Sequence, residues 1–205
     1  MNKVILISAL LALTGCATSG INYTKPKNYD VKNQTIIKED FDKVWDRLVK
    51  NLSSDFFVIN NIEKNSRIIN VSFSTNTPSD YVDCGTSTRE FSNARGKQTY
   101  SYNPADSARY TLTNAQGHAF NANRSSRLNG RVNIYLAPEG DGTLVSVNTK
   151  YIVEVGVKYY SVTNQPAGQD NFTFDISTKS DYHTQDGVTC VAKGNLEKII
   201  LDYAM

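Results

Sequence analysis

Histidine occurs only twice in this chain, tryptophan once and cysteine three times, so the chemistry those side chains carry has few places to sit. His118 and His183 fall in separate polar segments, and no His-Glu-x-x-His run or cysteine–histidine spacing is present to hold zinc. No metal and no cofactor are expected. Three cysteines are also too few to form the main scaffold of 205 residues, a length that can bury its own core. Long apolar runs are missing apart from Val4 to Leu13, which is too short to span a bilayer as a helix. An excess of one charge is missing as well. With 22 basic and 20 acidic side chains the formal net charge is +2, which gives no reason to expect nucleic acid as a partner. The sequence has no Gly-x-Ser-x-Gly elbow, Ser-x-x-Lys, phosphate-binding glycine loop or dinucleotide fingerprint, so no catalytic residue is named and a non-enzyme is expected. Paired carboxylates need only meet in space, which leaves an enzyme acting on cell wall or glycans as a third reading.

What is present begins at the first residues. Met1-Asn2-Lys3 gives a positive start, Val4 to Leu13 an apolar stretch, and Ala12-Leu13-Thr14-Gly15-Cys16 a small-residue zone ending on cysteine, which together read as an export signal. The tetrad Leu13-Thr14-Gly15-Cys16 resembles the lipobox of bacterial lipoproteins. That resemblance implies a diacylglycerol thioether on Cys16, cleavage before it and acylation of the new amine. Each buried methylene contributes about 0.8 kcal/mol, so two or three acyl chains anchor a protein where one is marginal. Ala17, where an inner-membrane retention signal has Asp, implies the outer membrane, and its periplasmic face is the expected location. If Cys16 carries lipid, Cys84 and Cys190 remain in a compartment that oxidises thiols, and a disulfide between them is expected. Two separate buried thiols are the alternative.

Residues 1–15 are accordingly read as signal peptide, 16–34 as a lipidated flexible tether rich in Thr, Ser, Gly, Asn and Lys, and 35–205 as a single α+β domain. Ile36-Ile37 suggests a short strand. Phe41, Val44, Trp45, Leu48 and Leu52 recur at helical spacing behind Asp40, and Trp45 lies inside that stripe as a core anchor. Phe56 to Ile62 and Ile69, Val71 and Phe73 suggest a hairpin, followed by an edge segment at Tyr81-Val82-Asp83. The polar stretch 86–127 carries Arg89, Arg95, Lys97, Arg109, Arg124 and Arg127 against Glu90 and Asp106. It reads as a long basic excursion with one strand near Arg109 to Thr113, and its six cations are candidates for contact with an anionic surface. Alternation returns at Val132, Ile134 and Leu136, turns over at Pro138 to Gly142, and resumes from Val145 to Val155. Gly156 is expected to end or bend that strand, and Asn164 to Gly168 to form a loop before Phe172, Phe174 and Ile176. Leu196, Ile199, Ile200 and Tyr203 form the face of a last helix, with Asn195 placed to cap it.

An early and a C-terminal helix, each with one apolar face, are satisfied by stacking on one face of a curved, mostly antiparallel sheet in a two-layer sandwich. The order Ile36-Ile37, a helix containing Val44-Trp45 and Leu48, Phe56 to Ile59, and Ile69 to Phe73 resembles the helix-grip domains of BamC-type lipoproteins of the outer-membrane β-barrel assembly machine. That resemblance implies a helix-grip-like fold and an accessory or scaffold role in an envelope assembly beside a protein partner, with no functional residue carried over. The alternative is a periplasmic module for a lipid or small ligand, which predicts an apolar cavity between helix and sheet.

Overall fold

The computed structural model describes residues 17–205; Cys16 and the expected signal peptide lie outside the described residues. Strands β1 (Thr18–Thr24) and β2 (Gln34–Ile37) precede helix α1 (Phe41–Ser53), and β3 (Val58–Glu63), β4 (Ile68–Thr75) and β5 (Val82–Asp83) follow it. Next come β6 (Thr86–Asn93), β7 (Gly96–Tyr102), β8 (Ala108–Thr113) and the two long strands β9 (Ala119–Glu139) and β10 (Gly142–Ser161). The chain ends with β11 (Pro166–Ser177), β12 (Tyr182–His183), β13 (Thr189–Ala192) and helix α2 (Asn195–Ala204). This is an α+β molecule dominated by antiparallel sheet.

The β9–β10 hairpin is its spine. Glu139 pairs with Gly142 across a two-residue turn at Gly140-Asp141, and the ladder continues to Phe120 and Ser161. Each long strand serves two partners on its outer edge. β8 pairs with the 119–124 half of β9 and β4 with the 128–135 half, while β2 and β11 divide β10 in the same way. β3 closes the β4 edge of the resulting seven-stranded sheet. Alternation puts Leu128, Val132, Ile134, Leu136, Val145, Val147, Tyr151 and Val153 on the inner face, all at most 1 % exposed. The outer face is polar, with cross-strand neighbours Asn70, Asn133 and Asn148 and an Asn70 to Asn133 hydrogen bond of 2.6 Å.

Two different layers cover the inner face. At the hairpin-turn end α1 packs on β9, β10 and α2 through Val44, Trp45, Leu48 and Leu52, while α2 packs on β10 through Leu196 and Ile200. Asp40 accepts from the Asp42 backbone N–H at 3.0 Å and caps α1 as its sequence position suggested. Arg47 ties the helices together: its guanidinium holds both Glu39 carboxylate oxygens and also donates to the Ala204 carbonyl at the end of α2. At the other end the cover is a small sheet, β1-β6-β7, which touches β8. Cys84 and Cys190 meet as a disulfide, both buried, joining the chain just after β5 to β13.

Several sequence expectations change. The segment read as tether contains β1, paired along its full length with β6, and the chain after it is fixed by Tyr29 donating to Asp83 and by the Asn33 carbonyl accepting from Val147. Gly85 permits this path, because a Cβ there would lie 2.1 Å from the Thr24 carbonyl oxygen. The polar stretch 86–127 is not a long loop but β6, β7, β8 and the first part of β9. Its inward positions are held by Ser87, Ala122 and Ser126 as well as by Phe91 and Tyr110, so its period of two is invisible to an apolar count. Gly156 does not end β10, which keeps its register with β9 through to Ser161. The loop expected at Asn164 to Gly168 is a tighter turn, since Pro166 already pairs with Tyr160. Asn195 does not cap α2: Gly194 occupies the cap position in the left-handed region, and the Asn195 amide donates to the Asp80 carbonyl instead.

Candidate functional site

The six cations of the basic stretch do not form one patch. Arg95 and Lys97 lie at the β6–β7 turn, where Lys97 pairs with Glu90 at 2.8 Å. Arg109 is exposed on β8, and Arg127 reaches across the outer face to the Ser74 hydroxyl at 2.9 Å. Only Arg89 and Arg124 point inward, and they meet in one cleft. The helix–sheet interface that a small-ligand module was expected to leave open is filled, with Val44, Leu48, Leu52, Leu196 and Ile200 fully buried.

A cleft of about 760 Å³ lies instead between the small sheet and the far half of the spine. Its walls come from distant segments: Ile21 and Tyr23 of β1, Arg89 of β6, Tyr102 of β7, Tyr110 of β8, Arg124 of β9, and Tyr159 of β10. β11 adds Asp170, Phe172 and Phe174, and the β12–β13 hairpin adds Tyr182, Asp186 and Val188. Strand alternation places these groups. Ser87 and Arg89 share one face of β6, opposite Tyr23 and Ile21 of β1, and Tyr159 continues the inward row of β10 beyond Val155 and Val157. Tyr23 fastens β1 to β13, donating to the Thr189 carbonyl at 3.0 Å and accepting from its N–H at 2.9 Å.

Both guanidiniums are held on aromatic plates. Arg89 stands 4.4 Å from the centre of the Tyr110 ring, and that ring stacks on Tyr102 at 5.3 Å and 3°. The Arg89 Nε also donates to the Tyr102 hydroxyl at 2.9 Å. Arg124 stands 5.2 Å from the Phe172 ring, donates through Nε to the Asp106 carbonyl at 3.1 Å and through Nη2 to the Pro104 carbonyl. A second stack, Phe172 on Phe174 on Tyr182, extends the aromatic wall. Burial pushes the Arg124 pKa below its ordinary value, and Arg89 adds to the push. Burial likewise raises Tyr110, and it raises Tyr159 to about 12 with help from the 2.8 Å hydrogen bond that its hydroxyl donates to Asp170.

The cleft offers cations, hydroxyls, aromatic faces and the carboxylates of Asp170 and Asp186. Among the described residues no group of three histidine, cysteine, aspartate or glutamate side chains is placed to hold a metal ion, and no helix is long and apolar enough to cross a membrane. His183 lies on β12 with its Nδ1 3.1 Å from the Thr189 hydroxyl, while His118 sits in the β8–β9 turn, so the histidines are apart. Sequence reading named Arg89 and Arg124 among its candidate cations and Phe172 only as a strand residue, and it missed Tyr23, Tyr159 and Tyr182 as members of one site. No protein-family model, curated protein or solved structure matches this chain.

Proposed function

We propose that the protein is a non-enzymatic, lipid-anchored accessory or scaffold component of a bacterial cell-envelope assembly, held through Cys16 to the periplasmic face of the outer membrane beside a protein partner. The supporting observation is how little chain separates the anchor residue from the folded body. β1 starts at Thr18, and two residues reach at most about 7 Å. Ala17 lines the same hollow as Arg95, Lys97 and Val162, so an anchored leaflet meets the end of the body formed by the β6–β7 and β10–β11 turns. Arg95 and Lys97 then face lipid headgroups, and Val162, 70 % exposed, faces the boundary beneath them. The early helix laid on an antiparallel sheet supports a helix-grip-like reading of the architecture.

Metabolic labelling with palmitate is the test of the anchor. Label is expected in the wild-type product and absent from Cys16→Ser, and an unlabelled wild-type product overturns the proposal. Crosslinking in intact cells is expected to trap an envelope protein; a solitary monomer in every membrane fraction counts against the scaffold role. A second reading, a small-ligand module, is favoured by the cleft between the small sheet and the spine.

A further inference from the structure

We infer that the cleft between β1/β6 and the far half of the β9–β10 hairpin is an anion site, taking a small phosphorylated ligand through Arg89 and Arg124. This rests on the small-ligand reading of the cleft and is independent of the lipid anchor.

The first argument is counter-charge. The ion pairs among the described residues are Arg47–Glu39, Lys64 with Asp42 and Asp46, Lys97–Glu90, Lys150–Asp175 and Lys198–Asp202. Arg89 and Arg124, half-buried against aromatic rings, are in none of them. Partial burial of a cation without an opposite charge is costly, and a bound anion relieves it. The second argument is donor capacity. A guanidinium carries five N–H groups. Arg89 spends its Nε on Tyr102, while Arg124 spends its Nε and one Nη2 hydrogen on backbone carbonyls. Those contacts and the stacked rings fix both forks while leaving most of their hydrogens for a ligand.

Shape and wall chemistry narrow the class. Two guanidiniums together match the several oxygens of a phosphate better than one carboxylate, because each fork can take two of them. The volume suits a small molecule rather than a folded partner. Ile21 and Phe172, 58 % and 44 % exposed, supply apolar contact for its body. Asp170 and Asp186 also line the cleft and repel an anion. The Tyr159 hydroxyl already donates to Asp170, so one of those carboxylates is engaged, and the two arginines are the groups left to take the anion. A soluble sugar phosphate and a phospholipid headgroup both fit this chemistry.

The test is calorimetric titration of the full chain in neutral detergent with four probes: inorganic phosphate, glucose 6-phosphate, dihexanoyl phosphatidic acid, and the uncharged apolar dye N-phenyl-1-naphthylamine. Saturable binding of phosphate is expected, weakened at least tenfold by Arg89→Gln and by Arg124→Gln, and changed less than twofold by Arg131→Gln, an exposed cation on the outer face. Whichever phosphate ester binds more tightly names the source. Should a variant fail to fold, phosphate-induced shifts of the Tyr102 and Tyr110 ring signals in the wild type, with none at Trp45, carry the same information. Dye binding without phosphate binding overturns the anion assignment and keeps the cleft as a ligand site. Binding of no probe overturns both, and phosphate affinity that survives both cleft substitutions overturns the assignment to Arg89 and Arg124.

Discussion

At the scale of single residues, one inward position on the spine is a glycine for a steric reason. Gly130 of β9 is the register partner of Phe73 on β4, and a Cβ built there would fall 1.9 Å from the Phe73 Cε1. The ring lies over the glycine backbone and fills the place of its absent side chain. Gly130→Ala is therefore expected to destabilise the protein by about 1–3 kcal/mol, the usual range for overpacking a core. Urea unfolding checks the size, and Gly130→Ala with Phe73→Leu is expected to recover part of the loss. No recovery would show that the clash lies elsewhere. The sequence disclosed Phe73 as a core residue through its spacing from Ile69 and Val71, but it could not disclose the partner. A glycine inside an alternating run looks the same whether it bends a strand, as Gly156 was expected to do, or accommodates a ring from the next strand.

At the scale of elements, legibility followed apolar contrast. Helix α1 was readable because Val44, Trp45, Leu48 and Leu52 form a stripe and Asp40 caps it, and the β9–β10 turn was readable because valines, isoleucine and leucine alternate on both sides. Strands β1, β6 and β7 were not, since their outward and several of their inward positions are Ser, Thr, Asn or Arg, and backbone pairing does not require aliphatic side chains. The two-residue strand β5 gains its place from β13, with which it pairs at Asp83–Val191 and Val82–Ala192, and from the adjacent Cys84–Cys190 bond. That bond closes a loop spanning 106 positions. Cys84→Ser with Cys190→Ser is expected to lose up to about 4–5 kcal/mol on the chain-entropy account. Reductant should lower the melting temperature of the wild type and leave that of the double variant unchanged. Equal melting temperatures of oxidised and reduced wild type would remove the bond from the stabilising terms.

At the scale of the whole molecule, the α+β class was legible, because two amphipathic helices beside many alternating strands leave few ways to bury their faces. The cleft was not, because its walls are drawn from β1, β6 to β11 and the β12–β13 hairpin, and no local pattern brings Ile21 beside Val188. Tyrosine burial also has a consequence for the whole fold. Desolvation, with the neighbouring carboxylates Asp83 and Asp170, raises Tyr29 and Tyr159 to about 12, and Tyr203 reaches about 12 chiefly through the hydrogen bond it donates to Asp55. Tyr151 is pushed up further by burial and by Glu197, whose two carboxylate oxygens accept from its hydroxyl. A raised folded-state pKa gives stability that is complete below the unfolded value near 10 and is lost as pH climbs toward the folded value. Denaturation midpoints are therefore expected to hold up to about pH 10 and fall from there to about pH 12. Tyr151→Phe should be less stable at neutral pH and show a shallower alkaline fall. A fall of unchanged slope would assign the alkaline limb to other groups.

The pairing of β1 with β6 sets an order of events when the chain emerges amino terminus first. Thr18 must wait for Ser92, so the earliest strand to appear is among the last of the early strands to find its neighbour. Until then its exposed Ile21 and unpaired amides are open to chaperones or to another copy. The β3–β4 hairpin emerges sooner and closes over a short span, so it can form first. The cleft, which needs β1 as one wall and β11 and the β12–β13 hairpin as others, comes into being only when those last segments close over that pairing.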